Sequence, residues 1–133
     1  MLRDTHICIE NSFMLVGRED MSARAFTGVA RKPLADLLLP IEKNLPIILL
    51  DHQPGGIRET ADDGRVALQL SGHTHHGQLW PFSLITSSIF EISWGAKKIG
   101  NTEFYVSCGW GTWGPPVRIG NTAELLDIRV NFI

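Results

Sequence analysis

Along this chain, short runs in which apolar residues alternate with polar ones, or follow one another for a few positions, recur between clusters of Gly, Pro, Asn and Asp. Alternation with period two belongs to a half-buried strand and a short continuous apolar run to a strand buried on both faces, whereas a helix repeats every three to four positions. Strands are therefore predicted at His6–Glu10, Phe13–Val16, Ile47–Leu50, Val66–Leu70, Ala96–Ile99, Glu103–Ser107 and Glu124–Asn131. Asn11-Ser12 and Gly100-Asn101 supply turn chemistry for two hairpins. Helical signals are few: Pro33 at a first helical position before Leu34-Ala35-Asp36-Leu37-Leu38, and a short stretch from Gly56 to Asp62. The Ser-rich stretch from Trp80 to Trp94 reads as a surface loop with helical turns. Ile-Gly-Asn-Thr occurs twice, at Ile99–Thr102 and Ile119–Thr122, and two turns of similar chemistry explain it better than a duplication. A strand–helix–strand unit from Ile47 to Leu70 would bring Asp51-His52 and Ser71-Gly72-His73 to one sheet edge, where open α/β sheets bind ligands.

Composition narrows the class. A chain of 133 residues with 44% hydrophobic and 20% charged residues is expected to form a soluble globular domain with a packed core. A formal net charge of −2 gives no cationic field for phosphate backbones, so nucleic acid is not an expected partner. The apolar run Leu45–Leu50 contains Pro46 and falls far short of the ~20 residues of a membrane-spanning helix. The first residues carry no apolar secretory run, and a cytoplasmic location is the default expectation. Cys8 and Cys108, a hundred positions apart in apolar contexts, read as buried thiols rather than a disulfide or a zinc pair. Trp80, Trp94, Trp110 and Trp113, with Phe82, are expected in the core; the alternative places them along a substrate approach.

The candidate chemistry lies in Leu70-Ser71-Gly72-His73-Thr74-His75-His76-Gly77-Gln78, three imidazoles within four residues on a glycine-flanked turn after a strand. In extended backbone, side chains two apart point the same way, so His73 and His75 can face one site while His76 faces elsewhere. His52 ends the other apolar strand and would lie beside them if the two strands are neighbours. Imidazole suits zinc, iron and manganese. The alternative treats these as hydrogen-bonded histidines of the core or sheet edge, which is the expectation for His6.

Ser71-Gly72-His73-Thr74-His75-His76-Gly77-Gln78 resembles the last motif, Gly-His-x-His, of the calcineurin-like metallophosphoesterases, in the subgroup that continues x-Gly-Gln. Leu49-Leu50-Asp51-His52-Gln53-Pro54 is similar to that family's preceding single-histidine motif. The likeness extends through Leu15-Val16-Gly17-Arg18-Glu19-Asp20, Arg31-Lys32-Pro33-Leu34, Val106-Ser107-Cys108-Gly109-Trp110-Gly111 and Pro115-Pro116-Val117-Arg118. It implies that residues 1–133 form the C-terminal portion of such a domain, the sheet-rich half of a four-layer α/β/β/α sandwich with about seven strands and few short helices.

The resemblance further implies a metal-dependent phosphoesterase that hydrolyses phosphomonoesters, phosphodiesters or nucleotide-lipid pyrophosphates with a hydroxide activated by two divalent ions (Mn, Zn, Fe or similar). It assigns His52 and His73 to one ion and His75 to the other, and makes Arg118 a candidate phosphate contact against a structural role. The family's Asp-x-His, Gly-Asp-x-x-Asp and Gly-Asn-His-Asp/Glu motifs, which supply the other ligands, do not occur at matching places: Asp4-Thr5-His6, Gly17-Arg18-Glu19-Asp20 and Gly120-Asn121-Thr122 are lookalikes. Two dications ~3.5–4 Å apart repel by roughly 19 kcal/mol at an effective dielectric of ~20, so carboxylates between them are needed. This chain is accordingly expected to bind one ion or none and to be inactive by itself, with no catalytic residue of its own. If it did turn over, Asp4, Asp20 and Asp51 would be the carboxylates to examine. Half a sandwich would expose a sheet face, which a second copy could cover. Full-length members of the subgroup often carry an N-terminal membrane anchor, placing a lipid-linked substrate and the cytoplasmic membrane face within the expectation. The competing reading is a non-catalytic module that holds one ion on His52, His73 and His75 and binds a partner through the open sheet.

Overall fold

The computed structural model describes residues 1–42 and 44–131. Six strands, β1 (Thr5–Ile9), β2 (Phe13–Gly17), β3 (Ile47–Leu50), β4 (Val66–Ser71), β5 (Gly95–Ile99) and β6 (Thr102–Val106), form one sheet in the order β1-β2-β3-β4-β6-β5. The two hairpins lie where the turn chemistry puts them: β1 pairs antiparallel with β2, and β5 with β6 through a two-residue turn in which Gly100 takes φ 58°. The inner strands β2, β3, β4 and β6 are mutually parallel, so all four end at the same sheet edge.

Four short α-helices accompany the sheet: α1 (Ala23–Thr27), α2 (Leu34–Leu38), α3 (Ile57–Asp63) and α4 (Phe82–Ile89). Helix α2 starts directly after Pro33, whose fixed φ of −53° leads into it. Its Leu34, Leu37 and Leu38 pack on Met14, Val16, Ile47, Leu49 and Val66, every second residue of the inner strands. Ile57 of α3 closes a second cluster with Ile92, Phe104 and Val106. Burial of a Leu, Ile or Val side chain contributes about 1.5–3 kcal/mol, so these two clusters are the main apolar term holding α2 and α3 to the sheet. They cover one face only.

Strand pairing puts Ile7, Leu15, Ile48, Leu50, Leu68, Leu70 and Tyr105 on the opposite face. Ile7 and Leu50 are 48% and 37% exposed there. The apolar residues on both faces of the inner strands explain why these segments read as near-continuous hydrophobic runs.

Three expectations are corrected. The sheet has six strands rather than seven, because Glu124–Asn131 is irregular. Leu126, Ile128 and Val130 keep their alternation but remain 37–43% exposed: a strand needs a neighbour's backbone to bond, and no described strand lies beside this segment. Cys8 is exposed because it sits on the edge strand β1, whereas Cys108 is buried as expected. The tryptophans are not core residues: Trp80, Trp94, Trp110 and Trp113 are 50–77% exposed. Between Trp80 and Trp94 the helical turns amount to the two-turn helix α4, preceded by a cis Trp80–Pro81 bond.

Candidate functional site

Parallel neighbours ending at one edge bring sequence-distant segments together. Asp20 follows β2, His52 follows β3, and the turn from Gly72 to Gln78 follows β4. The amide of Gly72 donates to the carbonyl of His52 (2.9 Å), tying the two histidine segments backbone to backbone. His73 Nδ1 lies 3.3 Å from His52 Nε2, and the rings meet edge to face with centroids 5.1 Å apart and planes at 79°. Two nitrogens ~2.1 Å from one ion and 3.3 Å apart subtend about 100° at it, an ordinary angle for tetrahedral or octahedral coordination. The pair therefore fits a shared divalent ion. Among the described residues, however, no three His, Cys, Asp or Glu side chains stand close enough to hold one ion between them.

His52, His73 and His75 line one cavity of about 660 Å3 together with Asp20 and Gln53, and Phe82, Ile85, Phe90 and Trp113 line it as well. His76 turns away and packs on Trp94 with ring centroids 4.7 Å apart. The grouping matches the sequence expectation, but its local cause differs. The turn is not extended: His73, His75, His76 and Gln78 have φ of 68°, 48°, 49° and 49°, and His75–Gly77 form a 3-10 turn. Left-handed backbone on non-glycine residues costs roughly 1–3 kcal/mol each, so surrounding bonds must hold it.

Those bonds are visible. The Thr74 hydroxyl donates to Ser93 O (2.6 Å) and accepts from the His76 amide (3.2 Å). Asn121 Nδ2 donates to the carbonyls of His75 and His76 at 3.3 and 3.1 Å. Buried Gln78 donates to Trp113 O (2.8 Å) and Pro115 O (3.2 Å), fixing the loop that carries Trp113 into the cavity wall. Arg118 donates to the carbonyls of Cys108 and Gly109 (2.9 Å each) and of Gly111, and one of its nitrogens lies 3.4 Å from His75 Nδ1. Its bonding is that of a structural clasp, and its charge stands next to His75.

Burial holds the His73 imidazole below its usual pKa, helped by neighbouring His52 and opposed by Asp20. Burial likewise lowers that of His75, with the Arg118 guanidinium as the next cause. Both rings are thus biased toward the neutral form that can ligate a cation. Asp51, beside His52 in sequence, turns inward: it is 1% exposed and receives Arg31 at 3.0 Å on both oxygens and Arg18 at 3.5 Å. Burial pushes its carboxyl up, with Arg31 and Arg18 opposing. Asp4 is occupied by the amides of Glu19 (2.9 Å) and Lys32 (2.7 Å), and His6 lies opposite Val16 within the β1–β2 pair.

Sequence reasoning missed the clamping roles of Gln78 and Asn121. Gln78 was visible as the end of the histidine motif and Asn121 as part of the second Ile-Gly-Asn-Thr. Nothing in the sequence connects either to its partners, which lie 35 to 46 positions away.

Comparison with known proteins adds an independent line. Over 90 residues the chain is 41% identical to an uncharacterized metallophosphoesterase of Helicobacter pylori strain J99, covering 67% of this chain and 24% of that protein. It is 33% identical over 128 residues to a transmembrane protein with metallophosphoesterase domain from Danio rerio, covering 90% of this chain and 28% of the relative. An uncharacterized metallophosphoesterase of Aquifex aeolicus is 30% identical over 132 residues, 98% of this chain and 50% of that protein. The chain thus spans between about a quarter and half the length of these curated relatives. No protein-family model matches it, and no solved structure does. Among the described residues, no helix is long and apolar enough to cross a membrane.

Proposed function

Because this chain is homologous to part of the metallophosphoesterases, we propose that it is the C-terminal portion of a calcineurin-like domain whose parent hydrolyses phosphate esters at a centre of two divalent ions. The observation that carries this reading is the meeting of His52 Nε2 and His73 Nδ1 at 3.3 Å across the ends of adjacent strands. His52 and His73 would hold one ion and His75 the other, with manganese, zinc or iron as the candidate metals. When bound, such ions polarise phosphoryl oxygens and provide a nucleophile at neutral pH. The chain's own residues supply geometry: the clamped turn holds His73 and His75 toward the cavity, burial lowers the pKa of both rings, and Arg118 puts positive charge beside His75 for a phosphate.

The substrate classes are phosphomonoesters, phosphodiesters and nucleotide-lipid pyrophosphates. The apolar lining of the cavity, which includes Phe82, Ile85, Phe90 and Trp113, favours one that carries an apolar group besides its phosphate, as a lipid-linked substrate does. An anchor outside this chain, at the cytoplasmic face of a membrane, fits that reading, and the Danio rerio relative is named as a transmembrane protein.

Carboxylates that separate the two dications would come from outside residues 1–133, which leaves this chain inactive alone. Purified chain supplied with manganese or zinc is expected to hydrolyse an aryl phosphodiester no faster than its His73→Ala variant. Metal-dependent turnover that His73→Ala or His75→Ala abolishes would overturn the claim of inactivity. In the longer protein, alanine at His52, His73 or His75 should each lower turnover at least ~100-fold, and unchanged turnover would sink the phosphoesterase reading.

A second reading has one observation in its favour, the exposure of Ile7 and Leu50 on the sheet face opposite α2 and α3. Under it the chain is a non-catalytic module that holds a single ion at the His52–His73 pair, without His75, and buries that face against another copy of itself.

A further inference from the structure

We propose that Asp20 is the anionic partner of the cation position formed by His52 and His73, setting how tightly a divalent ion is held there without itself closing on it. This rests on reading the histidine pair as a metal position.

The placement follows from topology. Asp20 stands three residues beyond β2, the strand adjacent to β3, so it reaches the same edge beside His52. Its carboxylate lines the cavity that His52, His73 and His75 line, and no other carboxylate does so among the described residues. Nearby acids are directed elsewhere: Asp51 to Arg18 and Arg31, Glu59 to Arg18, and Glu19 to Arg3.

Asp20 is also aimed. Gln53, the residue after His52, donates from Nε2 to Asp20 Oδ1 (3.1 Å), and the Ser22 amide (2.8 Å) and hydroxyl donate to the same oxygen. All three donors use Oδ1, and no described hydrogen bond uses Oδ2. The carboxylate feels both imidazoles: burial pushes its pKa up, but the Ser22 bonds and the charges available to His52 and His73 bring it below the ordinary range.

Two neutral imidazoles offer a dication no charge compensation, so an anion held nearby raises affinity through its field. Since no three such side chains close on one point, the role assigned is electrostatic rather than that of a third ligand. A purely structural role for Asp20 is also evident, because the Ser22 amide bond makes an Asx-type turn leading into α1. Asparagine keeps that oxygen and the turn but removes the charge, which separates the two roles.

The test titrates the whole chain with Co2+, following heat and visible absorption, in wild type, Asp20→Asn, Asp20→Glu and His73→Ala. Asp20→Asn is expected to weaken Co2+ binding about 10–100-fold with unchanged far-ultraviolet circular dichroism and melting temperature, Asp20→Glu to lose less, and His73→Ala to abolish the site. Co2+ affinity of Asp20→Asn within twofold of wild type, with His73→Ala still deficient, overturns the role of Asp20 and leaves the metal reading standing. Wild type that binds no Co2+, or binds it equally well after His73→Ala, overturns the histidine pair as a metal position of this chain and this inference with it. If Asp20→Asn disturbs the fold, Gln53→Met takes its place: it removes the donor that aims the carboxylate, a several-fold weakening is expected, and unchanged affinity again overturns the proposal.

Discussion

Four of the seven non-glycine residues with positive φ among the described residues, His73, His75, His76 and Gln78, lie within one six-residue turn. Strain gathered in this way persists only where neighbouring contacts over-determine the backbone, and here Thr74, Gln78 and Asn121 provide them. Gly77 is the point where no side chain fits. It has φ +73°, and a Cβ added there would lie 2.2 Å from Ser83 N and 2.4 Å from Phe82 C, backbone atoms that open α4. Gly77→Ala should therefore cost about 2–5 kcal/mol, the sum of a left-handed alanine and an overpacked contact. Urea unfolding measures this, and a loss under 1 kcal/mol would mean that α4 moves aside freely.

Among the elements, the least regular is the one whose attachment is most polar. Residues 124–131 have no strand partner, and Glu124 is their link to the sheet end. Its carboxylate accepts from the Cys108 amide (2.8 Å), the Tyr105 hydroxyl (3.3 Å) and the Trp94 indole (3.4 Å). Burial raises its pKa, yet the Cys108 amide and the other donors outweigh that and leave it below the ordinary 4.5. A carboxyl whose folded pKa is depressed contributes stability that is present above its unfolded value and is lost as pH falls through the folded one. The stability gap between wild type and Glu124→Gln should thus be full above about pH 5 and shrink steadily on acidification below 4.5. Denaturant unfolding at a series of pH values decides this; a gap that stays constant or grows toward acid would contradict it.

For the whole molecule the dominant feature is a sheet with α2 and α3 packed on one face and apolar residues on both. A face on which Ile7 and Leu50 are exposed beside the half-buried Leu15, Leu68 and Leu70 tends to exclude water by association. Sedimentation of the isolated chain should show self-association that increases with concentration, and Leu15→Lys, a charge on that face opposite exposed Ile7, should shift it toward monomer. A wild-type chain that stays monomeric throughout the micromolar range would rule out this mode of covering the sheet.

Within this sequence, information is strongest where a pattern is local. Ile47–Leu50 is delimited to the residue, the turn at Gly100-Asn101 is located, and α2 begins one residue after Pro33, which is its N-cap rather than its first helical residue, because period, turn chemistry and a fixed φ act over neighbouring residues. His73 and His75 do line one cavity, but through left-handed backbone rather than the extended alternation on which the sequence expectation rests. The fate of Glu124–Asn131, the exposure of Cys8 and of the four tryptophans, and the arrival of Asp20 beside His52 depended instead on which strand lies next to which. Alternation records that a residue has an apolar side. Only strand order and the placement of α2 and α3 decide whether anything covers that side, and which carboxylate ends up near two imidazoles more than thirty residues away.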